Sequence, residues 1–311
     1  MNKVFGLVLV VLVTVLTACG GGGGGGGSSL SYEGLTTHAV ISDEQTAADL
    51  SEQAFYGSDL DDALPIYSLQ GSGSSSAVPL PVIQELAGLA FEFPNRVVIP
   101  DTAQVMTASS TATEGCYNSG GTVSFSGTET ETHIDAKASF SNCDLLGDGT
   151  IFNGKFSIEA TLDNLGNPSD YSISVGLFSI EWPYQNKKII LDGTMNGSSV
   201  DGTDSLTMNL VLSDTSSGQM IKLENYQLTL KDMSNHYAMS ISGKIFGSEH
   251  GYSVLSTKQE ILLNYYSEEP YEGVFRIAGG EGTWAEYDFS TAQGTFGDAN
   301  GQLGTFNLTS D

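Results

Sequence analysis

Residues 122–128 read TVSFSGT and residues 132–141 read THIDAKASFS. In both, apolar and small polar side chains alternate, the period of a strand with one buried and one wet face. Folding the chain about Glu129-Thr130 sets Phe125 opposite Ile134 and Val123 opposite Ala136, one apolar face shared by two strands. The same reflection carries Cys116 onto Cys143. Gly120-Gly121 offers a place for a bulge that moves this register by a residue.

The two-residue period continues outward from this hairpin. It recurs in residues 155–162 (KFSIEATL), 171–177 (YSISVGL), 205–212 (SLTMNLVL), 226–230 (YQLTL), 237–241 (YAMSI) and 287–289. Between the runs lie Asn196-Gly197, Asp201-Gly202, Ser217-Gly218 and Asn300-Gly301, dipeptides whose conformations suit turns. The pattern predicts a mainly β domain over residues 114–311, an antiparallel meander of about ten to twelve strands. So many strands should curl into a half-barrel, a barrel or a sandwich. The wet positions are Ser, Thr, Asn, Asp and Lys, not the continuous lipid-facing bands and aromatic girdles of a membrane barrel.

Residues 32–113 are mixed and irregular. Ser42-Asp43-Glu44-Gln45 has the form of a capping box, and Ala47, Leu50, Ala54 and Phe55 follow at helical spacing, which predicts one amphipathic helix. Residues 82–91 (VIQELAGLAF), fenced by Pro81 and Pro94, predict a second short one. Neither has the basic polar face of an interfacial helix, so both are expected to pack on the β domain.

At the start, Lys3 precedes an apolar run over residues 4–16 that ends in Leu16-Thr17-Ala18-Cys19. A positive charge, an apolar stretch and a small-residue cleavage site are the parts of an export signal in their working order. The run is shorter than the roughly 20 apolar residues that span a bilayer. Residues 1–18 therefore read as a removable signal peptide. Leu16-Thr17-Ala18-Cys19 also resembles the lipobox of bacterial lipoprotein precursors. That resemblance implies acylation of the Cys19 thiol, cleavage before it, and a membrane partnership made through lipid. Two or three acyl chains together anchor durably where one does not. Residues 19–31 then form a glycine and serine leash, whose ten residues from Gly20 to Ser29 have a coil reach of about 17 Å. Polyglycine matches a phosphate-loop pattern trivially, but no strand precedes it. Gly20 stands where inner-membrane retention signals usually carry Asp. The resemblance thus points to the outer membrane, with the body facing either the periplasm or the outside.

Without Lys3 the chain keeps ten basic residues against 37 acidic ones, a net charge of −27. Nucleic acid and anionic lipid head groups are read first by clustered Lys and Arg, so both are disfavoured as partners. The acid is dispersed among regular apolar strands, which argues against disorder. With Cys19 spent on lipid, Cys116 and Cys143 remain as an even pair in an exported chain, where a disulfide is expected.

Motifs for covalent chemistry are missing from the sequence. It contains no G-x-S-x-G, H-E-x-x-H, C-x-x-C or Walker A pattern. His38, His133, His236 and His250 are scattered, and the carboxylate neighbours Asp61-Asp62 and Glu268-Glu269 show no cleft. Asp144 with Asp148, and Asp201 with Asp204, are candidates to hold Ca²⁺ through loop oxygens, although turn chemistry alone accounts for both. Tyr265, Tyr266, Tyr271 and Trp284 form the densest aromatic group and are the candidate ligand platform, set against a role in the core. No cofactor is expected.

Three stretches resemble a group of uncharacterised proteobacterial lipoproteins: Tyr32-Glu33-Gly34-Leu35-Thr36-Thr37, the Cys116 to Cys143 hairpin, and Ile241-Ser242-Gly243-Lys244-Ile245-Phe246 with His250-Gly251-Tyr252. The likeness brings no assigned activity. Together these readings give an outer-membrane lipoprotein with a non-enzymatic binding or structural role. The alternatives are a half-barrel carrier of an apolar ligand or lipid and, third, an unrecognised hydrolase, since convergent sites need no local motif.

Overall fold

The computed structural model describes residues 29–55, 110–117, 120–130, 132–144, 147, 149–162, 168–200, 202–265 and 269–308. The expected signal over residues 1–18, Cys19 and the expected helix over residues 82–91 lie outside them. Among the described residues one α-helix, α1 (Glu44–Phe55), precedes fourteen strands that follow one another through the sheet in chain order, β1 to β14, without a crossover. The chain is mainly β and a meander, as its period requires.

The strands number more than the alternating runs, and several are long. They are β1 (Ser110–Gly115), β2 (Thr122–Glu129), β3 (His133–Asp144), β4 (Ile151–Leu162), β5 (Pro168–Trp182), β6 (Lys187–Val200) and β7 (Thr203–Asp214). There follow β8 (Met220–Asp232), β9 (His236–Gly247), β10 (Gly251–Asn264), β11 (Pro270–Ala278), β12 (Trp284–Asp288), β13 (Gln293–Asp298) and β14 (Gly301–Phe306). Two compact units divide them. The first holds β1 to β5 and nearly all of β6, and the second holds α1, most of β7, and β8 to β14.

In the first unit the β2/β3 register differs from the expected one. Val123 faces Phe140 and Phe125 faces Ala138, because the chain reverses at residues 130–133, where the Thr130 N–H donates to the His133 carbonyl, and not at Glu129-Thr130. The slip is an even number of residues, so every side chain keeps its face. Val123, Ile134, Ala138 and Phe140 are all buried. Cys116 therefore does not sit across a ladder from Cys143. It lies just past β1, where the Tyr117 N–H donates to the Asp144 carbonyl at 2.8 Å, and this brings the two Cα atoms to 5.2 Å in a disulfide.

Long strands survive because their interruptions are built bulges. On β3, β5 and β8, one residue adopts a left-handed conformation: Asn142 (φ 48°), Leu177 (φ 46°) and Asn225 (φ 49°). A bulge leaves that residue's N–H without its ladder partner. Each time a side chain on a neighbouring strand takes it: Asn153 Oδ1 at 2.7 Å, Asp192 Oδ1 at 3.1 Å and Asn209 Oδ1 at 2.8 Å. The strand beside the bulge must also yield space. A β-carbon at Gly154 would lie 2.4 Å from the Leu177 carbonyl oxygen, and one at Gly243 would lie 2.5 Å from that of Asn225. In the β9/β10 pair the ladder opens between Ser253 and Ile261. There the Thr257 hydroxyl accepts from the Ile241 N–H at 2.7 Å and donates to the Ile241 carbonyl at 3.1 Å, filling the gap.

Aromatic side chains gather where the strands bend. Phe140, Phe152 and Phe178 meet with ring centroids 5.6–6.3 Å apart beside the Asn142 and Leu177 bulges. In the second unit Phe275, Tyr287, Phe289 and Phe306 form the matching cluster. Helix α1 packs on β12, β13 and β14 and buries Ala47, Leu50 and Ala54. Its cap is Asp43, not the Ser42 that a capping box requires. The Asp43 carboxylate accepts the Thr46 N–H and hydroxyl, both at 2.9 Å, which holds its pKa below the usual carboxylate value. Asn196-Gly197, expected as a turn, lies inside β6, and the missing side chain of Gly197 makes room for the Tyr171 ring.

Two measurements check this account. Gly154→Ala should cost at least about 2 kcal/mol more in urea unfolding than Gly120→Ala. Both glycines have positive φ, but only Gly154 has a carbonyl against it. Equal losses would mean that the bulge contact is unimportant. Non-reducing peptide mapping should find Cys116 joined to Cys143, and Cys143→Ser should lower stability by about 3 kcal/mol.

Candidate functional site

The residues singled out from sequence do not form one site. Asp144 is buried, and its two carboxylate oxygens accept the N–H groups of Gly147 (2.6 Å) and Gly149 (3.2 Å), so it caps a loop. Asp204 is half-buried on β7, while Asp148, Asp201 and Tyr266 lie outside the described residues. Tyr265 stacks on Tyr237 with centroids 4.9 Å apart. Tyr271 stands exposed at the start of β11. Trp284 pairs in register with Ala278, seven residues further along β11, roughly 23 Å from Tyr271 at strand rise. The proposed aromatic platform is thus divided along the strand.

The four histidines have local partners. His38 reaches the Ala278 carbonyl, His133 lies beside Glu159, His236 beside Asn235 and His250 beside Asp49. Among the described residues no three His, Cys, Asp or Glu side chains converge as a metal-holding group, and no helix is long and apolar enough to cross a membrane.

What the second unit does bring together is a cationic and aromatic face on the wet side of β8 to β12. Lys222 and Glu224 share that side of β8, and the register sets them opposite Phe246 and Lys244 of β9. Glu224 accepts from Lys222 at 2.8 Å and from Lys244 at 3.0 Å, which holds its carboxyl below the usual range, the Lys222 bond first. The same arrangement recurs two strands on, where Glu286 of β12 takes Lys258 of β10 at 2.8 Å and Arg276 of β11. Three of these four cations lie over rings: Lys222 over Phe246 (4.6 Å), Lys244 over Tyr252 (5.4 Å) and Arg276 over Trp284 (4.9 Å). A cation near a ring face is attracted by the ring quadrupole.

The segment from Tyr32 to Ala39 closes one end of this face. Tyr32 donates its hydroxyl to the Gly247 carbonyl at 2.8 Å and sets its ring edge-on to Phe246 at 5.7 Å. Burial pushes the Tyr32 phenol up to about 12. Residues 37–39 run parallel to β10: the Tyr252 N–H donates to Thr37, the Ala39 N–H donates to Tyr252, and His38 stacks on the Tyr252 ring at 4.4 Å. A β-carbon at Gly251 would lie 2.2 Å from the Thr37 carbonyl oxygen, so that glycine is what lets the strand approach. Two of the three sequence stretches noted above, around Tyr32 and around Phe246 to Tyr252, are therefore two sides of one contact.

Sequence reading missed Lys222, Glu224, Lys244, Phe246, Arg276 and Glu286. The legible signal is a spacing of two, which puts Lys222 with Glu224, Lys244 with Phe246, and Trp284 with Glu286 on one face of a strand. Pairing across strands needs the register. Searches of family models, curated proteins and solved structures find no match to this chain.

Glu224→Gln tests the electrostatics. Its depressed carboxyl contributes stability above the ordinary Glu pKa that is lost as pH falls through the folded value. The variant should be about 0.5–1 kcal/mol less stable than wild type at neutral pH, with a deficit that shrinks as pH falls below the ordinary Glu value, measured by urea unfolding. A deficit that stays constant with pH would show that packing, not charge, is involved.

Proposed function

We propose that this protein is an outer-membrane lipoprotein, held by acyl chains on Cys19, whose β-sheet serves as a non-enzymatic binding module of the envelope. The observation that carries the reading is the order of segments. A charged start, an apolar run, Leu16-Thr17-Ala18-Cys19 and a glycine leash are followed at once by residues that enter the fold. Leu30 donates its N–H to Asp192 at 2.9 Å, and Tyr32 and residues 37–41 are hydrogen-bonded into the second unit. On this reading the leash would carry a lipid at one end and meet the folded part at the other, which is the arrangement of a tethered module.

A binding role rests on the cationic and aromatic face. Four of the eleven basic residues of a very acidic chain stand together on one sheet surface, each paired with a carboxylate and three of them over rings. A sheet needs no such concentration for its own stability, because exposed ion pairs contribute little.

The test is Cys19→Ser. Wild type should label with radioactive palmitate and sediment with washed outer membranes, and the variant should do neither, since this reading places the anchor on the Cys19 thiol. Membrane recovery of the variant at the wild-type level would overturn the lipoprotein reading.

A further inference from the structure

The chain contains three Asn-Gly pairs, Asn153-Gly154, Asn196-Gly197 and Asn300-Gly301. A glycine after asparagine leaves its backbone nitrogen open to the side-chain amide carbon, with which it can close a five-membered ring. The fold treats the three pairs differently. Asn153 and Gly154 lie inside β4, where Asn153 Oδ1 holds the Asn142 N–H at 2.7 Å and Gly154 backs onto the Leu177 carbonyl. Asn196 and Gly197 lie inside β6, opposite Ser172 and Tyr171, with the Tyr171 ring over the glycine. Ring closure at either of these pairs requires the sheet to open locally.

Asn300-Gly301 stands at the turn between β13 and β14, and both residues are exposed. A β-carbon built on Gly301 would have nothing within 4 Å, so the space around that glycine is open. One carboxylate holds the turn. Asp298 Oδ1 accepts the N–H groups of Asn300 at 2.7 Å and of Gly301 at 3.2 Å, while Oδ2 accepts from Asn300 Nδ2 at 3.2 Å. These bonds, the Asn300 N–H first, hold the Asp298 carboxyl below the usual range, so it is ionised at neutral pH. The same carboxylate therefore touches both nitrogens of a ring closure, the one that must lose a proton and the one that must leave.

We propose that Asn300 is a site of spontaneous covalent modification, in which the Gly301 nitrogen displaces the side-chain amide nitrogen and Asp298 relays the proton between them. The bond from the Gly301 nitrogen to Asn300 Cγ forms, and the Cγ–Nδ2 bond breaks. The Asp298 carboxylate takes the proton from the Gly301 nitrogen and gives it to Nδ2, which leaves as ammonia. Water then opens the cyclic imide. Cleavage at Cγ leaves an aspartate, whereas cleavage at the original carbonyl carbon of residue 300 leaves an isoaspartyl link, with one more carbon in the main chain. Either product adds a carboxylate two residues from Asp298, and the isoaspartyl link lengthens a turn that pairs Asp298 with Gly301. The Asp298 carbonyl accepts from Trp284 Nε1 at 3.2 Å, and Arg276 lies over the Trp284 ring, so the change falls at a corner of the cationic and aromatic face. The site does not depend on the lipoprotein reading.

The test incubates the purified full chain at neutral pH and follows peptide masses, with fragmentation that separates aspartyl from isoaspartyl links. The peptide holding Asn300 should exchange NH2 for OH at least about tenfold faster than those holding Asn153 or Asn196, because only the latter wait for local opening. In urea the three rates should converge. Asn300→Gln keeps an amide but cannot close a five-membered ring, so it should stay unmodified. Asp298→Ser, whose hydroxyl can still cap the turn, should slow the conversion about tenfold or more at neutral pH. Its rate should then climb about tenfold per pH unit between about pH 5 and 7, because only hydroxide removes the proton, while wild type, with its carboxylate ionised throughout, stays nearly constant. An Asn300 peptide that keeps its mass in the folded protein while the urea-treated chain converts would overturn the proposal. So would conversion of Asn153 or Asn196 at the Asn300 rate. Equal rates and pH profiles in wild type and Asp298→Ser would overturn the role of Asp298 as the relay.

Discussion

A carbonyl oxygen set against an α-carbon that bears no side chain is the contact on which this sheet depends. It occurs where Leu177 meets Gly154, where Asn225 meets Gly243 and where Glu260 meets Gly273. A bulge adds a residue to one strand, and the extra backbone must go somewhere. Here it turns toward the neighbour, which accommodates it with a glycine at φ 109°, 127° and 119° respectively. The strand can then bend and continue, keeping its apolar side chains on the same face before and after. Without these sites, strands of 12 to 15 residues such as β4 and β5 would end near the bulges, and the phenylalanines that meet there would lose their partners.

The second constraint is the satisfaction of backbone groups that the bulges release. Asn153, Asp192 and Asn209 each present a side-chain oxygen to an N–H that the ladder abandons, and Thr257 replaces a whole missing rung. At Leu177 and Ile241 these bonds are half-buried, and an unpaired buried N–H costs on the order of 1–3 kcal/mol. These polar residues are therefore as much part of the sheet as its leucines. Asp192 serves twice, since its other oxygen receives the Leu30 N–H beside the leash.

Charge is arranged on the same principle of local pairing. The chain is strongly acidic, yet its wet face in the second unit alternates cations with carboxylates and lays the cations over Phe246, Tyr252 and Trp284. Those rings would otherwise be apolar surface in water. The lysine and arginine stems cover them while keeping their charged ends solvated. Tyr117 and Tyr184 of the first unit, by contrast, are largely exposed to water.

By itself the sequence determined the class of the fold, because a two-residue period with turn dipeptides permits little else than an antiparallel meander. It also determined the disulfide partners, since only two cysteines remain once Cys19 is assigned to lipid. Which side chains face the core was legible too, as an even slip in the β2/β3 register changes none of them. The register itself was not legible: residues 122–141 alternate equally well about two centres, and the choice falls to the hydrogen bonds of the 130–133 turn. Nor was the number of strands, because a left-handed residue at Asn142, Leu177 or Asn225 breaks the apparent period where the strand in fact continues. Asn196-Gly197 reads as a turn for the same reason, since a local sequence does not say that the Tyr171 ring needs the space. The cationic and aromatic face belonged wholly to tertiary structure. Glu224 meets Lys244 across a distance in sequence that only strand pairing closes, and contact across strands is not encoded in the spacing of either partner alone.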